Sequence, residues 1–333
     1  MLKIGLIGAG FIGQTHSDVY TLLRQVKPVR VVAVADSDRE RAANIARMHG
    51  ANVYTRPEDL IADSEVAAVD ICLPTHLHAY YTIKALRSGK PVFVEKPAVL
   101  NAEEAAAVVQ CMRETRQPAM GGMCIRYWAA YTWLRDAILE ERYGKLKFFA
   151  TRRLSKTPNW GYENWYQDPQ KSGGALLDLL IHDIDYVRWI LGEPSEIVAR
   201  GDINQLTALL TWADGTRAQI EGGWDYPDSF PFIMSYRAKF DKATVIFENT
   251  AVTVYADDGR NYQPNIWQHL PDVPRIARQI RELNGYYAVL NAFVDHLLEA
   301  TPIRRANLTE SIASVQLTLN IADILNGAAV TVT

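Results

Sequence analysis

Short apolar runs alternate with helical patterns through residues 1–122 of the chain. The apolar runs are rich in β-branched residues, as buried strands are, and helical spacing of apolar residues fills the intervals between them. Strands that alternate with helices in this way form a right-handed, doubly wound parallel sheet. We therefore predict a first α/β domain over residues 1–122. Its strands are predicted at 3–7, 31–35, 52–54, 66–73, 92–94 and 118–122.

The pattern changes after residue 122, where short strands begin to follow one another closely. Asp214-Gly215 between two of them is a hairpin signal. These elements predict a second domain, of the α+β class, over 123–333 with an open, mainly antiparallel sheet. An open sheet face needs a cover, and we expect a second subunit to supply it. Helices are predicted at 131–141, 173–191, 286–298 and 308–325, and strands at 145–154, 196–200, 206–212, 216–224, 234–240, 244–248 and 252–255; residues 265–284 show no clear pattern.

Composition narrows the class of protein. A chain of 333 residues is too long for one ordinary core, and 48% hydrophobic with 22% charged residues is typical of soluble globular proteins. A net charge of −3, with scattered basic residues, argues against a nucleic-acid partner. Cys72, Cys111 and Cys124 are widely spaced, so we expect neither a disulfide framework nor a zinc knuckle. No apolar stretch reaches membrane-spanning length and no secretory pattern precedes the first strand, so we expect a cytoplasmic protein.

A glycine-rich turn joins the first predicted strand to the first helix. The run is Gly8-Ala9-Gly10-Phe11-Ile12-Gly13, which is GxGxxG in the context that binds dinucleotides. Asp36 follows the second strand, 23 residues after Gly13, where an acidic side chain accepts hydrogen bonds from the adenosine ribose. Asp36 favours NAD over NADP, although Ser37 could tolerate a phosphate. The alternative is that Asp36 only caps the helix predicted at 39–49.

Two neighbouring strand ends carry candidate chemistry. The fourth strand ends in Leu73-Pro74-Thr75, and the fifth ends in Glu95-Lys96-Pro97. In an open α/β sheet, ligands bind at the carboxyl ends of strands, so both turns are expected beside the nicotinamide. Lys96 is therefore a candidate for catalysis, with a solvated lysine before a loop as the alternative. His78 could contact the cofactor or be a surface residue.

A loop in the second domain is rich in aromatic residues, namely Trp160, Tyr162, Trp165 and Tyr166. Aromatic side chains in a loop are packing residues in many proteins, and they also form the walls of carbohydrate sites. Both interpretations remain open for Trp160 and Trp165.

A glycine pair at Gly173-Gly174 opens a helical run that closes at Gly192. At helical spacing, Asp178, His182 and Asp185 share one face of this run, and apolar residues dominate its other sides. Buried acids and a histidine are costly unless they pair or function. Three interpretations remain open. Asp178 and His182 could form a structural pair, or the three residues could form a metal site that lacks part of its ligand shell. In the third interpretation, Asp178 orients His182 for acid/base catalysis.

Together, GAGFIG, Asp36, Glu95-Lys96-Pro97 and the segment from Gly173 to His182 resemble the Gfo/Idh/MocA oxidoreductase family. The resemblance covers nearly the whole chain, with the motifs in family order. It implies an N-terminal Rossmann domain and a C-terminal domain whose open sheet mediates a homodimer or homotetramer. It also implies oxidation or reduction of sugars and cyclic polyols with NAD or NADP, and the segment from Gly173 looks most like the inositol dehydrogenases.

The resemblance also assigns roles to residues. Lys96 matches the family's active-site lysine, and Asp178 and His182 match its catalytic pair. Arg126-Tyr127 looks like the arginine–aromatic step near the substrate, although Ala129-Ala130 stand where the family expects a proline. The expected cofactor contacts are Gly8, Gly10, Phe11, Ile12, Gly13, Asp36, Ser37, Leu73, Pro74, Thr75, His78, Glu95 and Lys96. The expected substrate contacts are Lys96, Arg126, Trp160, Trp165, Asp178 and His182.

The expected function is an NAD(P)-dependent dehydrogenase acting on a secondary alcohol. His182 would take the hydroxyl proton, Asp178 would hold the imidazole, and Lys96 would donate a hydrogen bond to the same oxygen. Two alternatives of other classes stay open. One is an NAD(P)-binding regulator without turnover, and the other is a redox-neutral glycosidase that uses NAD transiently.

Overall fold

The computed structural model describes residues 1–270 and 273–327, with His269 described by its backbone alone. The chain forms two compact units. The first contains Met1–Tyr127 and Leu270–Ala313. The second contains Trp128–His269 and the described residues from Ser314 onward.

The first unit is built on a six-stranded parallel sheet with helices in the connections. The strand order is β3-β2-β1-β4-β5-β6, so the direction of winding reverses between β1 and β4. This confirms the predicted doubly wound sheet. The strands are β1 (Leu2–Ile7), β2 (Val29–Ala35), β3 (Asn52–Tyr54), β4 (Ala68–Ile71), β5 (Val92–Val94) and β6 (Ala119–Gly121), and the helices are α1 (Phe11–Leu23), α2 (Arg39–His49), α3 (Pro57–Ala62), α4 (His78–Arg87) and α5 (Ala102–Thr115).

The second unit is built on an eight-stranded sheet in the order β14-β13-β12-β11-β7-β10-β9-β8. Only β7 and β10 pair in parallel among the pairs described, which confirms a mainly antiparallel sheet. The helices are α6 (Ala129–Leu139), α7 (Pro169–Ser172), α8 (Gly174–Asp178) and α9 (Ile181–Leu191), and the strands are β7 (Leu146–Lys156), β8 (Glu196–Gly201), β9 (Gln205–Thr211), β10 (Arg217–Tyr226), β11 (Ile233–Phe240), β12 (Ala243–Glu248), β13 (Ala251–Ala256) and β14 (Asn261–Tyr262).

One face of this second sheet is buried and the other is open. Phe149, Ile220 and Val254 on the buried face are 0% exposed. On the same side, the ring of Tyr131 on α6 lies 4.8 Å from the ring of Tyr186 on α9, edge to face. The open face carries several apolar side chains among charged ones. Three of them, Val198, Leu209 and Tyr255, are more than a third exposed.

The chain returns to the first unit through α10 (Ala277–Leu283) and α11 (Gly285–Glu299), and the unit boundary then falls inside α12 (Leu308–Leu325). The sequence prediction placed this whole segment in the second domain. The reason for the return is packing: Phe293 of α11 stacks edge to face on Phe93 of β5, at 5.6 Å between ring centroids. Residues 306–307 also extend the first sheet, since the N–H of Gly121 donates to the carbonyl of Ala306.

Candidate functional site

The glycine-rich turn has the backbone that a phosphate site requires. Gly8 has φ +95°, and a Cβ there would lie 2.4 Å from the carbonyl oxygen of Cys72. A Cβ at Gly13 would lie 2.0 Å from the carbonyl oxygen of Gly8, so the start of α1 packs directly on the turn. At Gly10, by contrast, a Cβ would meet no described atom within 4 Å. The turn is therefore closed towards the protein at Gly8 and Gly13 and open at Gly10, where a pyrophosphate is expected.

Asp36 is tied to the same turn. Its Oδ2 accepts a hydrogen bond from the N–H of Ala9 at 2.7 Å, and its Oδ1 accepts one from the N–H of Asp38 at 2.8 Å. Arg41 also reaches Oδ1, at 3.1 Å. The side chain that caps α2 is that of Asp38, which accepts from the N–H groups of residues 40 and 41. The capping alternative for Asp36 is therefore wrong, and its ribose contact stays a prediction.

The predicted strand-end turns lie side by side. The N–H of Cys72 donates to the carbonyl of Ile7, and the N–H of Glu95 donates to the carbonyl of Ile71. The three carboxyl ends of β1, β4 and β5 are thus joined by backbone hydrogen bonds. The Lys96–Pro97 peptide bond is cis. Among the residues predicted here, Thr75 is buried, whereas Phe11 on the glycine turn is 74% exposed.

His78 lies between the two turns. Its Nδ1 is 2.7 Å from the carbonyl oxygen of Pro97, and its Nε2 is 2.7 Å from the carbonyl oxygen of Leu73. The side chain is buried, so the surface alternative for this residue is wrong. The pKa of His78 is lowered because burial outweighs the two carbonyl contacts, which act to raise it. The residue links the turns, and contact with the cofactor stays a prediction.

A buried polar cluster contacts the backbone of Lys96 through Glu95. No sequence pattern predicted this cluster. His16 of α1, Asp70 of β4, Cys72 and Glu95 are all less than a tenth exposed. Nδ1 of His16 lies 3.0 Å from Oδ2 of Asp70 and 3.1 Å from Sγ of Cys72, and Nε2 lies 3.2 Å from Oε1 of Glu95. In the described part of the chain, His16, Asp70 and Cys72 are the one group of three whose atoms are close enough for a metal ion. The separations between these atoms are those of direct hydrogen bonds.

In the second unit, the glycine pair opens the helical segment by a left-handed turn. Gly173 and Gly174 have φ +73° and +69°. A Cβ at Gly174 would lie 3.0 Å from the carbonyl oxygen of Ile203, and the N–H of Leu176 donates to that same carbonyl. The pair therefore allows α8 to start against the loop before β9. Larger side chains would be strained there on both counts.

The predicted continuous helix from 173 to 191 is interrupted, because α8 ends at Asp178 and α9 begins at Ile181. The N–H of Leu180 donates to the carbonyl of Ala175, five residues back, which opens the turn between them. The prediction of one continuous helix is therefore wrong, and the shared face of Asp178, His182 and Asp185 stays a prediction. Asp178 is 8% exposed and His182 is half-buried.

The acids that follow His182 have partners of their own. Asp183 accepts from Nε of Arg153 at 2.5 Å and from the hydroxyl of Thr151, both on β7. Asp185 accepts from the hydroxyl of Ser314 on α12 at 2.7 Å. Arg153, Asp183 and Asp185 are each 3% exposed or less. Asp183 and Asp185 therefore anchor α9 to the sheet and to α12, and no sequence pattern predicted these pairings.

The aromatic loop divides into a packed part and an exposed part. Trp165 is 9% exposed and stacks on Tyr166 at 3.9 Å between ring centroids, and Tyr166 meets Trp224 of β10 edge to face. Trp160 is 55% exposed. The packing interpretation accounts for Trp165, whereas Trp160 is available to a ligand. Substrate contact by either residue stays a prediction.

Arg126 is 1% exposed in the first unit, and its Nη1 donates to the carbonyl of Arg305 at 2.5 Å. The guanidinium of Arg305 lies over the ring of Tyr127, 5.5 Å from its centroid. These contacts fasten the short helix Cys124–Tyr127 to the returning segment. The substrate role that the resemblance implies for Arg126 stays a prediction.

Comparisons with known proteins agree with this architecture. A family model described as an oxidoreductase family with an NAD-binding Rossmann fold matches residues 2–122, and the GFO/IDH/MocA C-terminal domain matches residues 131–259. The chain is 32% identical over 233 residues to inositol 2-dehydrogenase of Rhizobium meliloti, which covers 66% of this chain and 68% of that protein. No described helix has the length and apolar character needed to cross a membrane.

Levoglucosan dehydrogenases are similar as well. The enzyme of Pseudarthrobacter phenanthrenivorans is 32% identical over 208 residues, 60% of this chain and only about half (53%) of that protein's length. A levoglucosan dehydrogenase solved in complex with NADH and L-sorbose matches with a TM-score of 0.86 and 20% identity, over 100% of this chain and 99% of that one. The structural match shows a shared fold. The chain belongs to the Gfo/Idh/MocA family of oxidoreductases with an NAD-binding Rossmann fold.

Proposed function

We propose that the protein is an NAD-dependent dehydrogenase that acts on a secondary alcohol of a cyclic polyol or a sugar. The observation that carries this proposal is the position of Lys96. It stands two residues after the end of β5, whose carboxyl end is hydrogen-bonded to that of β4, close to the reversal of the sheet between β1 and β4 where ligands bind in this fold. The similarity to inositol and levoglucosan dehydrogenases supports the substrate class.

The first unit fits a dinucleotide. The space beside Gly10 is open for a pyrophosphate, no described side chain caps the first turn of α1, and Asp36 stands at the end of β2. The N–H groups of that first turn can therefore bind an anion. Asp36 favours NAD, and Arg41 beside its carboxylate is the group that would meet a 2′-phosphate in NADP. When bound, NAD supplies the acceptor for the hydride that leaves the substrate carbon.

Each proposed catalytic residue has one task. His182 accepts the hydroxyl proton of the alcohol, and Asp178 stabilises the imidazolium that forms. Lys96 donates a hydrogen bond to the same oxygen and stabilises the negative charge that develops on it. In the reverse direction, His182 returns the proton to the ketone oxygen.

The open face of the second sheet supports a homo-oligomer. Val198 and Leu209 are cross-strand neighbours on that face, and both remain about two-fifths exposed. A second copy of the chain would cover them. A Leu209→Glu variant would then dissociate in light scattering, and a Leu209→Met variant would keep the wild-type mass. A cytoplasmic enzyme is part of the same proposal.

Formation of NADH tests the proposed function. The purified protein would be given NAD or NADP with inositols, levoglucosan, aldoses and sugar acids, beside Lys96→Ala and the control variant Lys84→Ala on α4. Turnover on one ligand class that Lys96→Ala abolishes and Lys84→Ala preserves is the expected result. Tight NAD binding with no turnover would favour a regulator. Cleavage of p-nitrophenyl glycosides without net NADH would favour the glycosidase.

A further inference from the structure

His16 lies at the centre of the buried cluster beneath Lys96 and faces a carboxylate on each side of its ring. Nδ1 lies within 3.1 Å of both carboxylate oxygens of Asp70, and Nε2 lies 3.2 Å from Oε1 of Glu95. The contact with Glu95 has an ion-pair distance without the full geometry of a hydrogen bond. Neither Nε2 nor Oε1 has a hydrogen-bond partner elsewhere in the described chain. Among the described residues, the polar contact of each of these two atoms is therefore with the other.

This arrangement favours a charged imidazole. Ionised carboxylates can only accept hydrogen bonds, and a neutral histidine has one donor nitrogen. A neutral His16 would therefore turn a lone pair towards Asp70 or Glu95 inside the protein. Burial alone lowers the pKa of His16, but the charge of Asp70 and the contact with Cys72 outweigh it, and the pKa lies well above its ordinary value.

The other groups around His16 do not offer a competing charge. From α1, the hydroxyl of Tyr20 is kept neutral, because burial and then Asp70 raise the pKa of that group. Burial and Asp70 likewise raise the pKa of the Cys72 thiol. The ring of Phe93 of β5 lies edge to face with the imidazole, at 5.5 Å between centroids. The ring of Tyr286 of α11 is tilted against it, at 6.4 Å between centroids. Asp70 and Glu95 are the two acidic side chains that face His16.

Glu95 transmits this contact to the catalytic turn. Its second oxygen, Oε2, accepts from the backbone N–H of Lys96 at 3.2 Å. Gly122 leaves the room for the carboxylate, since a Cβ at that position would lie 2.5 Å from Oε1. One oxygen of Glu95 thus faces His16, and the other holds the residue that the proposed function places against the substrate.

We propose that His16 is a positioning residue that fixes the carboxylate of Glu95, and through it the backbone of Lys96, at the end of β5. It joins the helix that follows the glycine turn to the turn that carries the catalytic lysine. The catalytic consequence rests on the role proposed for Lys96. The positioning itself does not, so the two can be tested separately.

Two substitutions of His16 separate its two contacts. In His16→Asn, the amide nitrogen lies near the place of Nδ1, so the contact with Asp70 is kept and the contact with Glu95 is lost. In His16→Gln, the amide nitrogen lies near the place of Nε2, so the contact with Glu95 is kept. Because a displacement of about 1 Å can cost about 10²-fold in rate, we expect His16→Asn to lose about that factor in kcat with little change in the KM for NAD. His16→Gln should retain most of kcat.

A matched control is available in the same unit. His49 is also buried, and its Nε2 bonds the hydroxyl of Ser17, away from Glu95. His49→Gln should change the melting temperature and leave kcat unchanged. An equal loss of kcat in His16→Asn and His16→Gln would overturn the proposal. A loss of kcat that falls in step with the melting temperature across all three variants would overturn it as well.

Hydrogen exchange at the Lys96 amide tests the positioning without any substrate. We expect this amide to exchange faster in His16→Asn than in wild type, and at the wild-type rate in His49→Gln. A wild-type exchange rate of the Lys96 amide in His16→Asn would overturn the inference, whatever the activity of the variant. Faster exchange in a protein that turns over no polyol or sugar would instead refute the proposed function alone. If His16→Asn does not fold, Glu95→Gln serves in its place, with the same expected gain in exchange.

Discussion

Glu95 precedes Lys96 in the sequence, and Asp183 follows His182. The two units anchor these two carboxylates in similar ways. Each carboxylate is buried and faces a buried cation from another element, His16 for Glu95 and Arg153 for Asp183. The cations differ in one property: an imidazolium can lose its proton near neutral or alkaline pH, and a guanidinium cannot. The first anchor is therefore pH-sensitive and the second is permanent. In both units, the residue proposed for chemistry stands beside one that holds the backbone.

The largest effect expected is on catalysis. His182→Ala should lower kcat by about 10²–10⁴-fold, the usual contribution of a general base, while the affinity for NAD and the unfolding free energy remain near wild type. Steady-state kinetics, NAD titration and urea denaturation give the three values, with His296→Ala as a control histidine. A loss of NAD affinity equal to the loss of kcat would remove His182 from the proposed role.

The anchor beside His182 should show the opposite profile. Arg153→Met leaves the carboxylate of Asp183 buried without its cation, and the loss of one partner of a buried ion pair typically costs about 3–5 kcal/mol of unfolding free energy. The double variant Arg153→Met with Asp183→Leu should recover much of this loss. Urea denaturation of the single and double variants measures both values. A single-variant cost below about 1 kcal/mol would show that the pair is not an anchor.

The titratable anchor should give stability a dependence on pH. Because the pKa of His16 is raised in the folded state, its contribution is present in full below the unfolded value of about 6.5 and is lost as pH rises through the folded value. The difference in unfolding free energy between wild type and His16→Gln should therefore shrink as pH rises above about 6.5. Arg153→Met should show no such trend over the same range. A difference for His16→Gln that grows with pH would contradict the charged imidazole.

The smallest effect should come from the hydroxyl that donates to Asp185. Ser314→Ala removes the hydroxyl that donates to this buried carboxylate, and hydrogen bonds to charged groups typically contribute about 1.5–3 kcal/mol. We expect a loss near the lower end of that range, smaller than for Arg153→Met, with kcat unchanged. Ser314→Thr keeps a hydroxyl and serves as the control. A loss as large as that of Arg153→Met would contradict this order of effects.

Local patterns allowed most of the fold to be predicted. The parallel sheet follows from alternation of strands and helices, and α12 was predicted at its observed bounds, 308–325. The return of Leu270–Ala313 to the first unit was not predicted. An amphipathic face on α11 indicates that the helix packs, but it does not indicate on which sheet. Residues 265–284 have no periodicity from which to argue.

The local backbone around the candidate site was predictable where one motif sets the geometry of a turn, and the roles of its residues stay predictions. The glycine turn, Asp36 and the turn at Lys96 are such cases. His16 gave no signal, because its partner Glu95 is far along the chain and the pairing arises only when α1 packs beside β4 and β5. The interruption at residues 179–180 was missed for a related reason: the backbone opens there although the residues are good helix formers.

Transfer of deuterium tests the central claim most directly. The polyol or sugar that is turned over would be prepared with deuterium on one ring carbon at a time, and the NADH formed would be analysed by mass spectrometry. The account predicts one deuterium per NADH from a single carbon position, with none from the others, and no NADH in Lys96→Ala. NADH without deuterium from any ring position, or consumption of substrate without net NADH, would contradict a dehydrogenase acting on a ring alcohol.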